Sequence, residues 1–404
     1  MARVPIKMPA NWMPMRWPVV WRSASLVELV KGAGIDCLID NRPEIAEAAA
    51  QAGIHAIRED ERPADVVEIE GLWPGIRSMR FGAAGVTGTG PTGEPWINSN
   101  AWPVRLAAAR RPGKSVWVRT VPAKYGVSAL PYIMAIADAA LAGGRWILSL
   151  EDELAAGIAN SNTECLEVWR RIAAVSSFFA THRGWAAYEP EAVLGVLSAF
   201  STSAQQEVLN LITRSGQQYR VLPKGAQGGP DLAGLRAVVC ADLEPPPAQD
   251  RAAVMRFVAE GGLLIAGPDW GSVQGAVKGA GDHPRFSMFT LGKGSVAVAK
   301  AAIAEPYLLA SDCGILVSHR YDLLRFFNGG ALQAYYSHGL VQILFYANQP
   351  AVDTSVWIAG NHKAARLWTL ERPEPQALAA ERVGDGIELH LPGAMRYAAI
   401  ELGS

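Results

Sequence analysis

VVEIEGLWPG, residues 66–75, combines the pattern of a buried strand with charges that such strands rarely carry. Its valines and isoleucine suit a parallel sheet, whose strands are almost continuously apolar. Glu68 and Glu70 are two residues apart, so both side chains point to the same face of the strand. The GLWPG that follows is not the start of a helix. This stretch therefore predicts a parallel strand that presents carboxylates toward its carboxyl-terminal end.

Predicted strands and helices alternate around this stretch over the first half of the chain. The strands are expected at 19–21, 35–41, 54–60, 66–71, 115–122 and 145–152, with helices near 25–34, 43–53, 101–110, 131–144 and 164–182. Such alternation indicates right-handed βαβ units and a parallel sheet. Six strands are fewer than the eight of a complete (β/α) barrel. The sequence thus predicts an α/β fold that begins with a compact or incomplete TIM-like barrel.

Charged residues follow the ends of most of these strands. They are Asp40, Glu59 and Asp60, Glu70, Glu151 and Asp152, and on one further strand Arg119. Active sites of parallel α/β folds assemble at the carboxyl ends of the strands, so a site is expected there. Helix N-caps are the competing interpretation, and Asp40 suits a cap equally well. Glu68, deeper in its strand, is expected to pair with an arginine such as Arg119 or Arg22.

The glycine- and threonine-rich loop at 82–100 adds polar and aromatic side chains beside this edge. The candidates in it and just after it are Glu94, Trp96, Asn98, Asn100 and Trp102. The glycine spacing matches neither a P-loop nor a dinucleotide-binding motif. Indole stacking and amide hydrogen bonds favour a sugar subsite. The alternative is a lid that packs on its own aromatic residues.

The middle of the chain predicts a second α/β unit. Its phrases DLAGLRAVVCADL (231–243), VMRFVAEGGLLIAG (254–267) and LGKGSVAVA (291–299) resemble the flavodoxin-like or glutamine-amidotransferase-like domain of the trimeric β-galactosidases of glycoside hydrolase family forty-two. In that family the domain follows the catalytic barrel and does no chemistry. Cys240 follows a strand, but it lacks the flanking glycines and the histidine partner that an amidotransferase nucleophile needs.

The last third of the chain predicts an antiparallel β-sandwich. Short alternating segments separated by glycine, proline and asparagine turns run through 332–402. They are similar to the small C-terminal domain of the same glycosidases. The expected division is a barrel-like catalytic domain at 1–188, a flavodoxin-like domain at 189–328 and a β-sandwich at 329–404.

The resemblance implies a glycoside hydrolase with two carboxylates on strand ends. The family places an Asn-Glu pair after the fourth barrel strand, and no such dipeptide occurs in residues 1–190. Glu70 is predicted as the general acid/base, and Glu151 is predicted as the ionised partner, with Asp152 as the alternative. Trp73 and Arg119 complete the predicted carbohydrate-binding set. The alternatives are a non-catalytic carbohydrate-binding or structural protein and an accessory subunit of an oligomer.

Assembly and location are further expectations from the sequence. The middle domain resembles one that forms trimers, so a homo-oligomer (trimer or dimer) with contacts from 190–325 is expected. The alternative is a brace that packs only within the chain. The first residues lack the apolar core of a signal peptide, which indicates a cytoplasmic protein, or an exported one if a leader has been removed.

Composition excludes several other classes of function. The net charge is −1 and the basic residues are scattered, so no nucleic-acid partner is expected. No apolar run approaches the roughly 18 residues that a membrane span needs. The four cysteines, Cys37, Cys165, Cys240 and Cys313, are far apart and form neither a zinc motif nor a disulfide framework. Neither a metal nor a cofactor is predicted.

Overall fold

The first part of the chain contains ten strands and six helices in the part that the computed structural model describes. It describes residues 12–403 except 62, 78, 82–85, 89–95, 123–125, 189, 243, 271–272, 274 and 348–350. The strands are β1 (Pro14–Arg16), β2 (Cys37–Ile39), β3 (His55–Ile57), β4 (Val66–Glu70), β5 (Gly75–Arg77), β6 (Met79–Phe81), β7 (Val86–Gly88), β8 (Trp96–Asn98), β9 (Ser115–Arg119) and β10 (Arg145–Trp146). The helices are α1 (Val27–Val30), α2 (Pro43–Gln51), α3 (Ala101–Arg110), α4 (Leu130–Leu141), α5 (Asp152–Ala159) and α6 (Thr163–Thr181).

Six of these strands form one parallel series. Strands β1, β2 and β3 make one sheet and β10, β9 and β4 make another. Leu148, just after β10, forms a parallel bridge to Met15, and Arg16 N donates to the Leu148 carbonyl at 2.8 Å. The order is therefore β3-β2-β1-β10-β9-β4. Within the described residues no bridge joins β3 to β4, so the series resembles a TIM-like barrel that stays open between these two strands.

One face of this series surrounds a small apolar interior. The cluster consists of Trp12, Cys37, Ile39, Val66, Trp117 and Ile147, with Ile57 packed against it. It includes side chains from both edge strands, so the series curves around a common centre. Residues one position away, such as Leu38, Val118 and Leu148, belong instead to the large cluster with the helices. This alternation follows from the two-residue period of strands and separates an inner face from a helix-covered face.

The first strand differs from the sequence-based expectation. VVW at 19–21 was expected to be a strand, but β1 lies earlier, at Pro14–Arg16, and Val19 is 83% exposed. The segment turns at Pro18, whose carbonyl accepts from Trp21 N at 3.0 Å. The indole of Trp17 then donates to the Trp21 carbonyl at 2.9 Å. The buried tryptophans, and not the valines, anchor this turn to the core.

The middle part is a seven-stranded sheet with helices. Its elements are β11 (Leu194–Ser198), α7 (Ser203–Arg214), β12 (Tyr219–Pro223), β13 (Ala237–Cys240), α8 (Ala248–Ala259), β14 (Leu263–Ala266), β15 (Val277–Asp282), β16 (Phe286–Leu291), β17 (Gly294–Ala299) and α9 (Pro306–Val317). The strand order is β12-β11-β13-β14-β17-β16-β15, and the first five strands are parallel. Their order, second-first-third-fourth-fifth along the chain, is that of flavodoxin-like sheets. Burial raises the pKa of the Cys240 thiol to about 12, which leaves it unsuited as a nucleophile.

The last part consists of two antiparallel sheets. Its strands are β18 (Leu324–Phe327), β19 (Leu332–Ser337), β20 (Leu340–Phe345), β21 (Thr354–Ala359), β22 (Ala364–Thr369), β23 (Arg372–Leu378), β24 (Ala380–Val383), β25 (Gly386–Leu391) and β26 (Tyr397–Gly403). The orders are β18-β21-β25-β24 and β19-β20-β26-β22-β23. Val356 and Leu389 of the first sheet pack with Ile343 and Ile400 of the second in one core. This arrangement fits the expected β-sandwich. Short 3-10 helices lie at Ala24–Leu26, Arg183–Ala187, Pro268–Trp270 and His319–Tyr321.

Candidate functional site

Strands β4 and β9 place three charged side chains together at the carboxyl end of the parallel series. Glu68 is in register with Trp117, and Glu70 is in register with Arg119. Val66 and Trp117 belong to the interior cluster, and alternate residues of a strand share a face. Glu68, Glu70 and Arg119 therefore continue the interior face outward to the edge where active sites of such folds assemble. This position explains why a core strand carries two carboxylates on one side.

Arg119 joins the two carboxylates. Its Nε lies 3.0 Å from Glu68 Oε1, and its Nη2 lies 3.9 Å from Glu70 Oε1. The side chain of Glu68 is 16% exposed and that of Glu70 is 79% exposed. Of the two arginines expected for Glu68, Arg119 and Arg22, the structure pairs it with Arg119. Glu70 holds the outer position, where its carboxylate meets solvent and any bound molecule.

A cleft of about 500 Å³ lies beside Glu70. One wall is β4 and the residues after it, including Val67 and Ile69 of the helix-covered face, and the other is α3 from Trp102 to Arg110. Arg110, Arg111 and Gln206 complete its polar lining. Apolar and aromatic walls with a few charged groups are typical of small-molecule sites. The cleft thus brings together three predicted residues, Glu70, Asn100 and Trp102, whereas Glu151 and Asp152 are not in its lining.

The path of the chain after β4 is held by Gly71 and Asn100. Gly71 N donates to the Arg119 carbonyl at 2.8 Å, which extends the ladder. A Cβ at Gly71 would lie 2.3 Å from Val118 Cγ1, so only glycine fits this approach. The Asn100 side chain donates to the Leu72 carbonyl and accepts from Leu72 N, each at 2.8 Å. Asn100 is completely buried and also contributes to the lining of the cleft, so its role as a sugar ligand stays a prediction.

Trp73 also anchors this loop. Its indole Nε1 donates to the Val121 carbonyl at 3.0 Å. Its ring meets Tyr132 and Trp146 edge-on, with centroid distances of 5.3 Å in both cases. The half-buried ring therefore packs toward α4 and β10. This packing positions the loop, and a role of Trp73 in sugar binding stays a prediction.

Glu151 and Asp152 lie at the start of α5. Glu151 is the N-cap residue and is 8% exposed, and its backbone N donates to the Tyr132 hydroxyl at 3.0 Å. Burial, together with the charge of Glu151, raises the pKa of Tyr132 to about 12, although the hydrogen bond from Glu151 N opposes the shift. Asp152 is the exposed first residue of the helix, where the helix dipole favours a carboxylate. Both residues follow β10 at the same edge of the series as Glu70.

The remaining predicted residues, on and before β8, are only partly within the described residues. Asn98 is half-buried at the end of β8. Trp96 begins that strand, but its side chain and the whole of Glu94 lie outside the described residues. Sequence reasoning missed Arg110, Arg111 and Gln206 of the cleft. The two arginines end a predicted helix and look like ordinary solvent-exposed charges, and Gln206 comes from a different part of the chain.

A metal-binding cluster and a membrane-spanning helix are both absent from the described part of the chain. No group of three or more His, Cys, Asp or Glu side chains could hold a metal ion there. In the same residues, no helix is both long enough and apolar enough to cross a membrane.

Comparisons with known proteins identify similar folds but no family. No protein-family model and no curated protein matches the sequence. Among solved structures, α-L-fucosidase isoenzyme 2 from Paenibacillus thiaminolyticus has a TM-score of 0.53 at 11% identity, over 89% of this chain and 70% of that one. The chain therefore shares the fold of a glycoside hydrolase.

Two β-galactosidases have lower scores. That from Rahnella sp. R3 has a TM-score of 0.48 at 10% identity, over 91% of this chain and 63% of the other. The family 42 enzyme Gan42B from G. stearothermophilus has a TM-score of 0.46 at 12% identity, over 68% and 50%. The chain spans less than two thirds of both β-galactosidases.

Proposed function

We propose that this protein is a glycoside hydrolase whose site lies at the carboxyl end of the N-terminal parallel strands. The observation that carries the proposal is the placement of Glu70. It is exposed at the end of a parallel strand, lies within 4 Å of an arginine and borders a cleft with a tryptophan in its wall. The fold similarity to a fucosidase agrees with this class of reaction.

The proposed chemistry uses two carboxyl groups. The protonated form of Glu70 donates its proton to the glycosidic oxygen as the bond from that oxygen to the anomeric carbon breaks. The carboxylate of Glu151, or alternatively of Asp152, either takes a proton from the water that attacks the anomeric carbon, or attacks that carbon itself. In the second case water, with Glu70 as the base, then hydrolyses the glycosyl ester and releases the sugar. Arg119 orients Glu70, and Trp102 offers an apolar face to the sugar ring.

A non-catalytic carbohydrate-binding protein is the second candidate. Arg119 engages both carboxylates of β4, and the side chain of Glu151 is almost completely buried. Both features limit how freely these acids reach a substrate. In this reading the cleft beside Glu70 still takes a sugar, but no bond is broken.

Activity and binding measurements distinguish the two candidates. Purified protein is tested against a panel of 4-nitrophenyl glycosides, and the responding glycoside is then used with Glu70→Gln and with the matched control Glu44→Gln. Glu44 is an exposed residue of α2, remote from the cleft in the sequence and outside its lining. We expect Glu70→Gln to lose at least about 100-fold in kcat/KM, since general acid catalysis contributes on that order.

The melting temperature of Glu70→Gln is expected to remain that of the parent, because the side chain is exposed. Equal activity of Glu70→Gln and the parent would remove Glu70 from the mechanism. Binding of the sugar without any turnover by the parent would favour the carbohydrate-binding protein.

A further inference from the structure

A second cleft, of about 420 Å³, lies where the three parts of the chain meet. Helix α3, the segment at 185–190, strand β12 and strands β19 and β20 all contribute to its lining. It shares α3 with the cleft beside Glu70, but it uses different residues of the helix. Arg105 and Ala109 face this second cleft, whereas Trp102 and Leu106 line the first.

Arg105 has no anionic partner among the described residues of this cleft. The described residues contain no ion pair of Arg105, and its Nη1 is shielded from solvent without a hydrogen-bond partner among them. Its guanidinium carbon lies 4.1 Å from the ring centroid of Tyr335 and 5.1 Å from that of Tyr219. Among the described residues the lining has no carboxylate, and its other guanidinium, Arg220, pairs with Asp231 at 2.9 Å.

An arginine is always charged, and a charge removed from water needs a counter-charge or hydrogen-bond acceptors to offset the loss of hydration. The two aromatic rings stabilise the cation only in part, since cation–π contacts contribute no acceptor for an N–H group. A ligand that carries an acceptor into the cleft would satisfy the buried Nη1 group of Arg105. A carboxylate matches the planar guanidinium best because two parallel hydrogen bonds form.

The walls of the cleft define the rest of the ligand. Trp185 and Tyr335 line it together with alanine and leucine side chains, so most of its surface is apolar and flat. Its volume lies in the range of sites for small organic molecules, and rings pack well against such faces. We propose that this cleft binds a small ring-bearing carboxylate, of the size of a sugar acid, with its carboxylate on Arg105 and its ring against Trp185 and Tyr335.

Direct binding tests the proposal with galacturonate, benzoate and galactose as probes. Galactose has the ring of galacturonate without the carboxylate, so it reports whether the anion is needed. We expect saturable binding of galacturonate by calorimetry and a higher melting temperature in its presence, because a ligand that binds only the folded state stabilises it. Binding of benzoate alone would support the site and identify aromatic acids as its ligands. Binding of neither acid, or equal binding of galactose, would overturn the proposal.

A matched pair of variants locates the binding at Arg105. Ala109 is four residues after Arg105 on α3, so Ala109→Glu places an internal carboxylate within reach of the guanidinium. We expect Ala109→Glu to weaken galacturonate binding at least about tenfold, and Ala109→Gln, which has the same shape and no charge, to weaken it less. Equal affinity of the two variants would contradict the assignment. The direct test is Arg105→Gln, which removes the guanidinium. If that variant does not fold, the two Ala109 variants still test the assignment.

The outcome is independent of the glycosidase proposal. Glu70→Gln leaves this cleft unchanged, so its affinity for galacturonate is expected to equal that of the parent. A variant that loses glycoside turnover but still binds galacturonate separates the two sites. A variant that loses galacturonate binding but keeps turnover does the same.

Discussion

The buried carboxylate of Asp138 on α4 accepts a hydrogen bond from the hydroxyl of Tyr346, which lies 208 residues further along the chain. Ser99 Oγ lies 2.7 Å from the same carboxylate and 2.9 Å from Gln333 Oε1. Gln333 in turn donates to Asn210 Oδ1 at 2.9 Å. This polar network connects the parallel series, the middle sheet and the sandwich at one buried point. It fixes their arrangement because each buried polar group depends on partners from another part.

Removal of the Tyr346 hydroxyl tests how much this network stabilises the fold. Tyr346→Phe keeps the ring and deprives a buried carboxylate of a donor, so we expect the free energy of unfolding to fall by about 1–3 kcal/mol. Urea unfolding measures the change. Tyr307→Phe is the control, since that half-buried hydroxyl has no hydrogen bond among the described residues. Equal stability of both variants would contradict a stabilising role of the Asp138–Tyr346 contact.

The pH dependence of stability reports the protonation of Asp138. Burial raises the pKa of its carboxyl above the usual 3.8, although hydrogen bonds from Tyr346, Asn100 and Ser99 oppose the shift. As pH rises through 3.8, the unfolded chain releases its proton before the folded chain does, so the contribution of Asp138 to stability decreases until the raised pKa is passed. We expect the stability of the parent, relative to Asp138→Asn, to decline across this window.

Urea titrations of both proteins at several pH values from 4 upward, at constant salt concentration, measure this difference. If the stability of the parent relative to Asp138→Asn increases with pH, the folded state favours the ionised form of Asp138. A difference that does not change with pH would show that Asp138 has the same pKa in both states.

Gly71 is expected to be irreplaceable at the end of β4. In Gly71→Ala the new methyl group overlaps Val118 and Asn100, so we expect a loss of about 1–3 kcal/mol, as for other overpacked sites. Gly184→Ala is the control, because a Cβ there meets nothing within 4 Å. Thermal unfolding compares the two. If Gly71→Ala has the stability of the parent, the packing of residue 71 against Val118 and Asn100 is loose. The wall of the proposed cleft would then not be fixed.

Assembly is the remaining prediction from the sequence, and we propose a homo-oligomer with contacts from 190–325. Strand β15 ends the seven-stranded order, so its outer edge has no neighbouring strand in the described part, and Val277 on it is 67% exposed. Such edges pair readily with another chain, and closed symmetry is the common outcome. Light scattering at micromolar concentration is expected to give a multiple of 43.2 kDa.

Val277→Glu should shift that oligomer toward the single chain, because a charge at the edge opposes pairing. If the parent has the mass of one chain, the oligomer is excluded, and the middle domain packs only against other parts of the same chain.

Local pattern determined much of this fold. The apolar run that ends in Glu70 and the repeated strand–helix alternation predicted a parallel series with charges at its carboxyl ends. The pairing of Glu68 with Arg119, one of the two arginines expected for it, is diagonal: Arg119 is in register with Glu70, and Glu68 lies two residues earlier on the same face of β4. The first strand was placed wrongly, since β-branched residues at 19–21 suggested a strand where buried tryptophans impose a turn.

Side-chain roles that depend on distant partners were decided only by the tertiary structure. Asn100 and Trp73 were predicted as sugar ligands from their residue types, and the structure adds that one holds Leu72 and the other packs against Tyr132. The sequence does not indicate that Asp138 is buried, nor that Arg105 has no anionic partner among the described residues. Their chemistry follows from burial and from partners brought in from other parts of the chain, and periodicity does not encode either. The amino-acid order thus determined which residues share a strand face, whereas packing decided which of them remain open to a ligand.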